Sequence, residues 1–266
     1  MQPITLNAAD VTTWVSRLWW PALRVTGFVL TAPTTSEASV PGLVKIVLTL
    51  ALAFVLAPLV QVPAGLSIFS ADGMLSAVLE LLIGVSIGLA VQVAFEALSF
   101  AGQLISLSMG LGFATLVDPQ HNAQTPVLGQ MFMIFGTLTY LSIDGHLMLI
   151  NALAASFEHL PIGAAHFEHD LPLMLVLWGA RVFDAGLLIA LPIAIAMVIV
   201  NLGLGIVTRA APQLNLFGIG FTITLLSGLF ALLVGLDGIM SSIANLLNSA
   251  LVAVPQLIRA AAAGAH

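Results

Sequence analysis

Charge is what this 266-residue chain has least of. Charged residues make up 7% of it, 6 of them Lys or Arg and 12 Asp or Glu, where soluble domains carry roughly 25%. Hydrophobic residues make up 60%, and the mean hydropathy is +1.13. A soluble fold has no means of burying so much apolar surface. Lipid or other apolar subunits must cover it, so the chain reads as an integral membrane protein. The net charge of −6 comes with no basic patch, which argues against a nucleic-acid partner. Cysteine is absent, which excludes disulfides, thiolate metal sites and cysteine catalysis. The N-terminal MQPITLNAADVTTW lacks both a basic region ahead of an apolar core and an evident cleavage site. No cleaved signal peptide is expected, and the first apolar segment is expected to stay as an anchor. No nucleophile–base pairing, phosphate loop or metal motif is found, so neither enzymatic activity nor a cofactor is expected.

What is there is a series of long apolar runs. The first, residues 14–32, is impure: Arg17 and Arg24 interrupt it, and Trp14, Trp19 and Trp20 suit an interface, where an indole keeps one wet edge. An arginine in such a run pairs or snorkels. A polar loop, Ala32–Pro41, leads to a clean second run, residues 42–60, with Lys45, the only lysine, near its start and Pro58 and Pro63 at its end. Residues 75–113 continue for 39 positions without a proline. A helix that long reaches roughly 58 Å, against a hydrocarbon core of roughly 30 Å. It must either project well beyond the core or break near Ser99–Gly102 and turn back. Residues 127–157 and 171–208 are further long runs, 216–236 is a last clear span, and 239–258 reads as a final amphipathic or interfacial helix. The expected fold is therefore all-α and polytopic, one membrane domain over residues 1–266, with about six hydrophobic segments, several of them overlong or broken.

Within the long third run, Glu80, Gly84, Gly88, Gln92 and Glu96 recur every four residues, so they are neighbours along one helix surface. Gly84 and Gly88 form a G-x-x-x-G, which permits close approach of another backbone. The carboxylates and the amide would be costly against lipid, so this row is expected to face protein or water as a subunit or helix contact. The run ends in an apolar, glycine-rich stretch, Met109–Pro119 (MGLGFATLVDP). Gly110 and Gly112 permit backbone angles that other residues resist, and Pro119 stops regular structure after Asp118. The stretch is too apolar for a solvated loop and too rich in glycine for a packed span. Non-helical backbone at membrane depth belongs inside protein or along a cavity. It reads as an occluding or gripping loop.

Other charged groups are few. Asp144-Gly145-His146 falls in the middle of an apolar run, as a hairpin turn or a break. Arg181 and Asp184 lie three apart on one helix and are expected to pair within the membrane. Asn201, Gly203 and Gly205 imply contact with protein. His159, His166 and His169 with Glu168 and Asp170 have the look of a metal cluster, but His-x-x-His alone is a weak signal, and a solvated loop is expected instead. On the residues alone, a secondary transporter using Asp144, His146, Arg181 and Asp184 and a channel subunit both stay open.

Several stretches together resemble the FliR family of flagellar export-apparatus proteins. They are WPALRV (20–25), TAP (31–33), SEASVPGLVKI (36–46), MGLGFATLVDP (109–119), PVLGQ (126–130), DGHLMLI (144–150), SFEHLPIG (156–163) and NLGLGIVTRAAPQLNLFGIGF (201–221), in the family's order and covering most of residues 12–230. Injectisome homologues of the SctT type share the RAAPQ-type block, whereas the N-terminal blocks and GHLMLI favour the flagellar branch. Ser108 stands where the family leads one to expect glutamine, and Asp144 where it leads one to expect asparagine, adding a buried charge. The resemblance implies a subunit of the export gate in the bacterial inner membrane, at the flagellar basal body. Its implied partners are FliP-like and FliQ-like subunits, an FlhB-like protein and unfolded export substrates. It also implies that Leu111, Phe113, Leu116 and Val117 plug the closed pore, with Met109 at the start of the loop, Gly110 and Gly112 as its hinge and Asp118–Pro119 fixing its exit. Arg209, Pro212, Gln213, Asn215 and Phe217 are then expected at a turn or subunit contact. An injectisome export subunit is the near alternative and a small-solute transporter the distant one.

Overall fold

The computed structural model describes residues 8–63, 66, 68, 70–112, 127–163, 170–210 and 220–263, and among them there is no strand. Eight α-helices are described: α1 (Ala8–Thr31), α2 (Pro33–Ser36), α3 (Gly42–Leu56), α4 (Ala71–Ser108), α5 (Val127–Ser142), α6 (Gly145–His159), α7 (Asp170–Ala210) and α8 (Phe221–Ala263). A single 3-10 turn, Ala57–Leu59, ends α3 at Pro58. Among the described residues, four helical stretches are long and apolar enough to cross a membrane, and α5 with α6 makes a fifth if the broken pair is one span. That is close to the about six segments expected. The shortfall lies at α1, whose run of apolar residues is broken by Arg17 and Arg24.

Of the two courses open to the third run, projection beyond the core or a break near Ser99–Gly102, the structure takes the first: α4 is continuous over 38 residues. It reaches about 57 Å and so outruns a hydrocarbon core of about 30 Å. Gly102 serves packing and not a bend: a Cβ there would lie 2.6 Å from the Cα of Gly129 on α5. The last span and the expected separate amphipathic helix are likewise one helix, α8, 43 residues long with Gly235, Gly238 and Pro255 inside it. Glycine costs a helix about 1 kcal/mol. In an apolar medium the unpaired backbone groups of a break cost several times that, so the helix runs on.

The helices form two compact units. One comprises the described residues of Met1–Gln92, Asp144–Trp178 and Ala250–His266. At its centre α1 and α4 touch backbone to backbone. A Cβ at Gly84 would overlap the carbonyl group of Arg24 and lie 2.9 Å from the amide nitrogen of Phe28. One at Gly27 would lie 2.9 Å from the nitrogen of Val85, and one at Gly88 2.8 Å from that of Ala32. Thr31 adds a hydroxyl that donates to Gly27 O at 2.9 Å and across to Val85 O at 3.2 Å. Trp20, Val25, Phe28 and Val29 of α1 are buried around this seam. Lys45 donates to the Ser36 carbonyl at 3.0 Å, closing the end of α2, and Trp178 Nε1 donates to Ala90 O at 2.8 Å.

The other unit comprises the described residues of Val93–Ile143 and Gly179–Ser249. Here α4 packs on α5 through Gly102 and Gly129 and through the edge-to-face pair Phe95–Tyr140, 5.7 Å between ring centroids. It meets α7 at Gly186, where a Cβ would lie 2.7 Å from Phe100 Cδ1, and at the edge-to-face pair Phe100–Phe183. Between α5 and α6 the chain breaks at Asp144, which is left-handed at φ 55°. Asparagine and aspartate are the side chains that best tolerate that region. The departure from asparagine at this position therefore leaves the break intact. Asp144 is exposed, not the buried charge expected of it.

Replacing Gly84 by valine should push α1 off α4 and cost about 1–3 kcal/mol, as overpacking does. Gly203, which has open space around it, should accept alanine with no loss. Thermal unfolding in mild detergent compares the two, and equal melting temperatures would contradict the seam.

Candidate functional site

Two constructions stand out, one in each unit. The first is a buried charge cluster. Arg24 is fully buried, and its Nε donates to Glu80 Oε2 at 2.6 Å, with Glu80 1% exposed. Its Nη1 donates to Ser156 Oγ at 3.0 Å, its Nη2 to the Leu160 carbonyl at 2.8 Å, and its guanidinium lies 4.1 Å above the Phe157 ring. Ser156 in turn donates to Leu153 O at 2.6 Å. One guanidinium therefore ties α1, α4 and the end of α6. The planar fork spreads its donors over three nitrogens and so reaches acceptors on three elements, where a lysine ammonium would bring its donors to a single point. Both charges of the pair are hydrogen-bonded as well as paired, which is the arrangement that lets them be buried.

The second is the end of α4, at the start of the apolar stretch Met109–Pro119. A helix leaves its last four carbonyls without partners. Here each has one. Ile105 O accepts from Met109 N, Leu107 O from Gly110 N and Ser106 O from Leu111 N, all at 3.0 Å. The fourth, Ser108 O, accepts from the Asn201 side chain of α7 at 3.2 Å. The crossed pair at Gly110 and Leu111 is a Schellman cap, which needs a left-handed residue. Gly110 supplies it, at φ 79°. Gly112 has no positive φ, so of the two glycines only Gly110 is required by the backbone. Met109 is fully buried, seated over Gly228 of α8, while Leu111 is half-buried. Ser108, in the place expected to hold glutamine, turns its hydroxyl back to Leu104 O at 2.8 Å and makes its outward contact through its carbonyl.

The remaining expected residues fall as follows. In the Glu80–Glu96 row, Glu80, Gly84 and Gly88 are buried against α1, Gln92 is half-buried and Glu96 is exposed. Arg181 and Asp184 both lie exposed on α7, and Arg209 is exposed near its end. Arg17 is exposed, in contrast to Arg24. His146 is half-buried beside the break. Phe113, Leu116, Val117, Asp118 and Pro119 of the loop, and Pro212, Gln213, Asn215 and Phe217, lie outside the described residues, as do His166, Glu168 and His169. Among the described residues no cluster of three metal-ligating side chains is formed. Ser156, Gly27 and Gly228 were not singled out from the sequence. Gly27 sits in the block flanking WPALRV and Ser156 in SFEHLPIG, whereas Gly228 is a lone glycine in an apolar run with no local signal.

Long apolar helices and glycine-mediated seams define a polytopic α-helical membrane protein. Residues 15–250 match the family described as bacterial export proteins, family 1. The chain is 41% identical over 217 residues to the flagellar biosynthetic protein FliR of Escherichia coli (strain K12), covering 81% of this chain and 82% of that protein. It is 39% identical over 229 residues to FliR of Pectobacterium carotovorum subsp. carotovorum, covering 86% and 87%. It is 32% identical over 223 residues to FliR of Aquifex aeolicus (strain VF5), covering 84% and 86%. The chain belongs to the FliR family. It is a membrane component of flagellar protein export.

Arg24→Leu alone should cost about 3–5 kcal/mol, because it leaves the Glu80 carboxylate buried and unpaired. Adding Glu80→Leu should recover most of that loss. A double variant no more stable than the single one, in chemical unfolding of the detergent-solubilised protein, would show that packing and not charge pairing holds the cluster.

Proposed function

We propose that the chain is a subunit of the flagellar type III export gate in the bacterial inner membrane. In this reading it assembles with FliP-like and FliQ-like subunits, with an FlhB-like protein associated, around a path for unfolded export substrates. The reading rests above all on the family match over residues 15–250. Two physical features support it. Large apolar side chains stand exposed along α3, α7 and α8, among them Leu43, Phe54, Leu188, Ile206, Phe230 and Leu233, and require a covering of lipid or subunits. And α4, longer than a bilayer core, delivers the Met109–Pro119 loop from a capped end.

The proposed mechanism is occlusion, not catalysis. Leu111, Phe113, Leu116 and Val117 fill the closed pore and keep out water and ions, as hydrophobic constrictions do. The hinge falls at Gly110, because its left-handed backbone is where the chain departs from α4. Asp118 and Pro119 fix the exit. Arg209, Pro212, Gln213, Asn215 and Phe217 belong to a turn or subunit contact, and Arg181 with Asp184 to a charge pair within the membrane.

Tagged protein drawn from native membranes in mild detergent should bring FliP and FliQ homologues with it, identified by mass spectrometry. Injectisome subunits in their place would redirect the assignment, and a folded lone or homo-oligomeric species would sink it in favour of the transporter. Removing residues 110–117 should make membranes leak ions, read as conductance. Gly110→Val should reduce export while leaving assembly with FliP intact, since a non-glycine residue held left-handed costs about 1–2 kcal/mol. Gly112→Val should do less, and equal effects at the two positions would remove the hinge from Gly110.

A further inference from the structure

α8 carries one exposed face whose chemistry changes part-way along it. Leu226, Phe230, Leu233 and Val234 stand on that face, between 61% and 71% exposed. The same face continues through Asp237, Ser241, Asn245 and Asn248, which are exposed as well, because each of these positions follows another by three or four residues. Beyond Leu236, the one large apolar side chain exposed on the described part of α8 is Val252. The opposite side of the helix does not change. Leu232 before the switch and Ile239, Ile243 and Leu247 after it are all buried. One helix, continuous over 43 residues, therefore keeps a single apolar side towards its own chain and shows the outside two different surfaces in succession.

We propose that the apolar cover of the protein ends at Leu236, and that beyond it the polar face of α8 meets water. Three other covers are weighed against this one. Lipid suits the leucines and the phenylalanine, but an aspartate and two asparagines would be costly against it. An amphipathic helix lying in the membrane surface would sink its apolar side into lipid. Here that side is already buried in protein, at Ile239, Ile243 and Leu247. A partner subunit would have to answer Asp237, Ser241, Asn245 and Asn248 one by one along about 17 Å of helix. The centres of protein interfaces are built instead on aromatic, methionine and arginine anchors and are poor in serine and aspartate. Water answers the whole row without fixed geometry. The exposed apolar part, residues 221–236, is about 24 Å long and fits within a hydrocarbon core of about 30 Å. The switch thus lets a helix far longer than the core run on without an apolar cover along all of it. Nothing in this assignment depends on the export-gate reading.

The chain has no cysteine, so single nitroxide labels can be placed one at a time. Full-length protein, drawn from native membranes with its complex and returned to lipid bilayers, carries the label at Ser241→Cys, Asn245→Cys or Asn248→Cys on the polar part and at Leu226→Cys, Phe230→Cys or Leu233→Cys on the apolar part. All six positions are exposed, so none of these variants opens a core. Collisions are read with a water-borne nickel chelate and with oxygen, which concentrates in hydrocarbon. Labels at 241, 245 and 248 should meet the chelate about tenfold more often than those at 226, 230 and 233, since a polar solute is excluded from an apolar cover. Labels at 241, 245 and 248 that meet oxygen and not the chelate would put lipid on this face and overturn the proposal. Labels there shielded from both agents would put a partner subunit on it, with the same result. Equal access of the chelate to all six positions would remove the boundary at Leu236.

Discussion

Everything in the first unit depends on the approach of α1 to α4. Two helices meet at backbone distance only where side chains are missing, and Gly27, Gly84 and Gly88 clear that space along the seam. Closeness of this kind is unforgiving to charge. Arg24 lies in the seam, and its guanidinium has no water to turn to. Glu80, one turn before Gly84, stands where it can reach the guanidinium, and Ser156 and Leu160 bring α6 in to complete the set. The apolar seam and the ionic cluster are therefore one construction. The glycines bring the arginine in, and the arginine fixes which elements close around it.

The same helix serves two purposes along its length. Its earlier half is a structural partner for α1. Its later half packs on α5 and α7 and ends with the carbonyls of Ile105 to Ser108 engaged. The end of the helix is held by that packing and by the two contacts at its tip.

Much of this was legible in the sequence, though not its partners. A charge in an apolar run must be answered, so Arg24 and Glu80 announced themselves as costly residues, and four-residue spacing put Glu80 on a line with Gly84 and Gly88. That Arg24 and Glu80 answer each other across 56 positions is a tertiary fact no local pattern carries. Glycine misled in the other direction. A break near Ser99–Gly102 was one of two courses left open, because from sequence a glycine that bends the chain looks like one that admits a neighbour. At Gly102 the structure decides for the neighbour, and the division drawn between 216–236 and 239–258 falls inside one helix. The stretch was legible as apolar and glycine-rich, but which of Gly110 and Gly112 takes a left-handed backbone was not, since φ is invisible in composition. Asn201 was read only as needing a protein contact; its partner is a backbone carbonyl, which has no signature in the sequence.

The closed accounting of carbonyls at the end of α4 also has an electrical side. A helix C-terminus carries about half a negative charge, concentrated on its unpaired carbonyl oxygens. Bare carbonyls of that kind are what a dehydrating cation seeks in a channel. Here Ile105, Ser106, Leu107 and Ser108 each already accept an N–H, three from the backbone and one from an amide side chain with no formal charge of its own. The negative end of the helix is thus partly offset without introducing a cation.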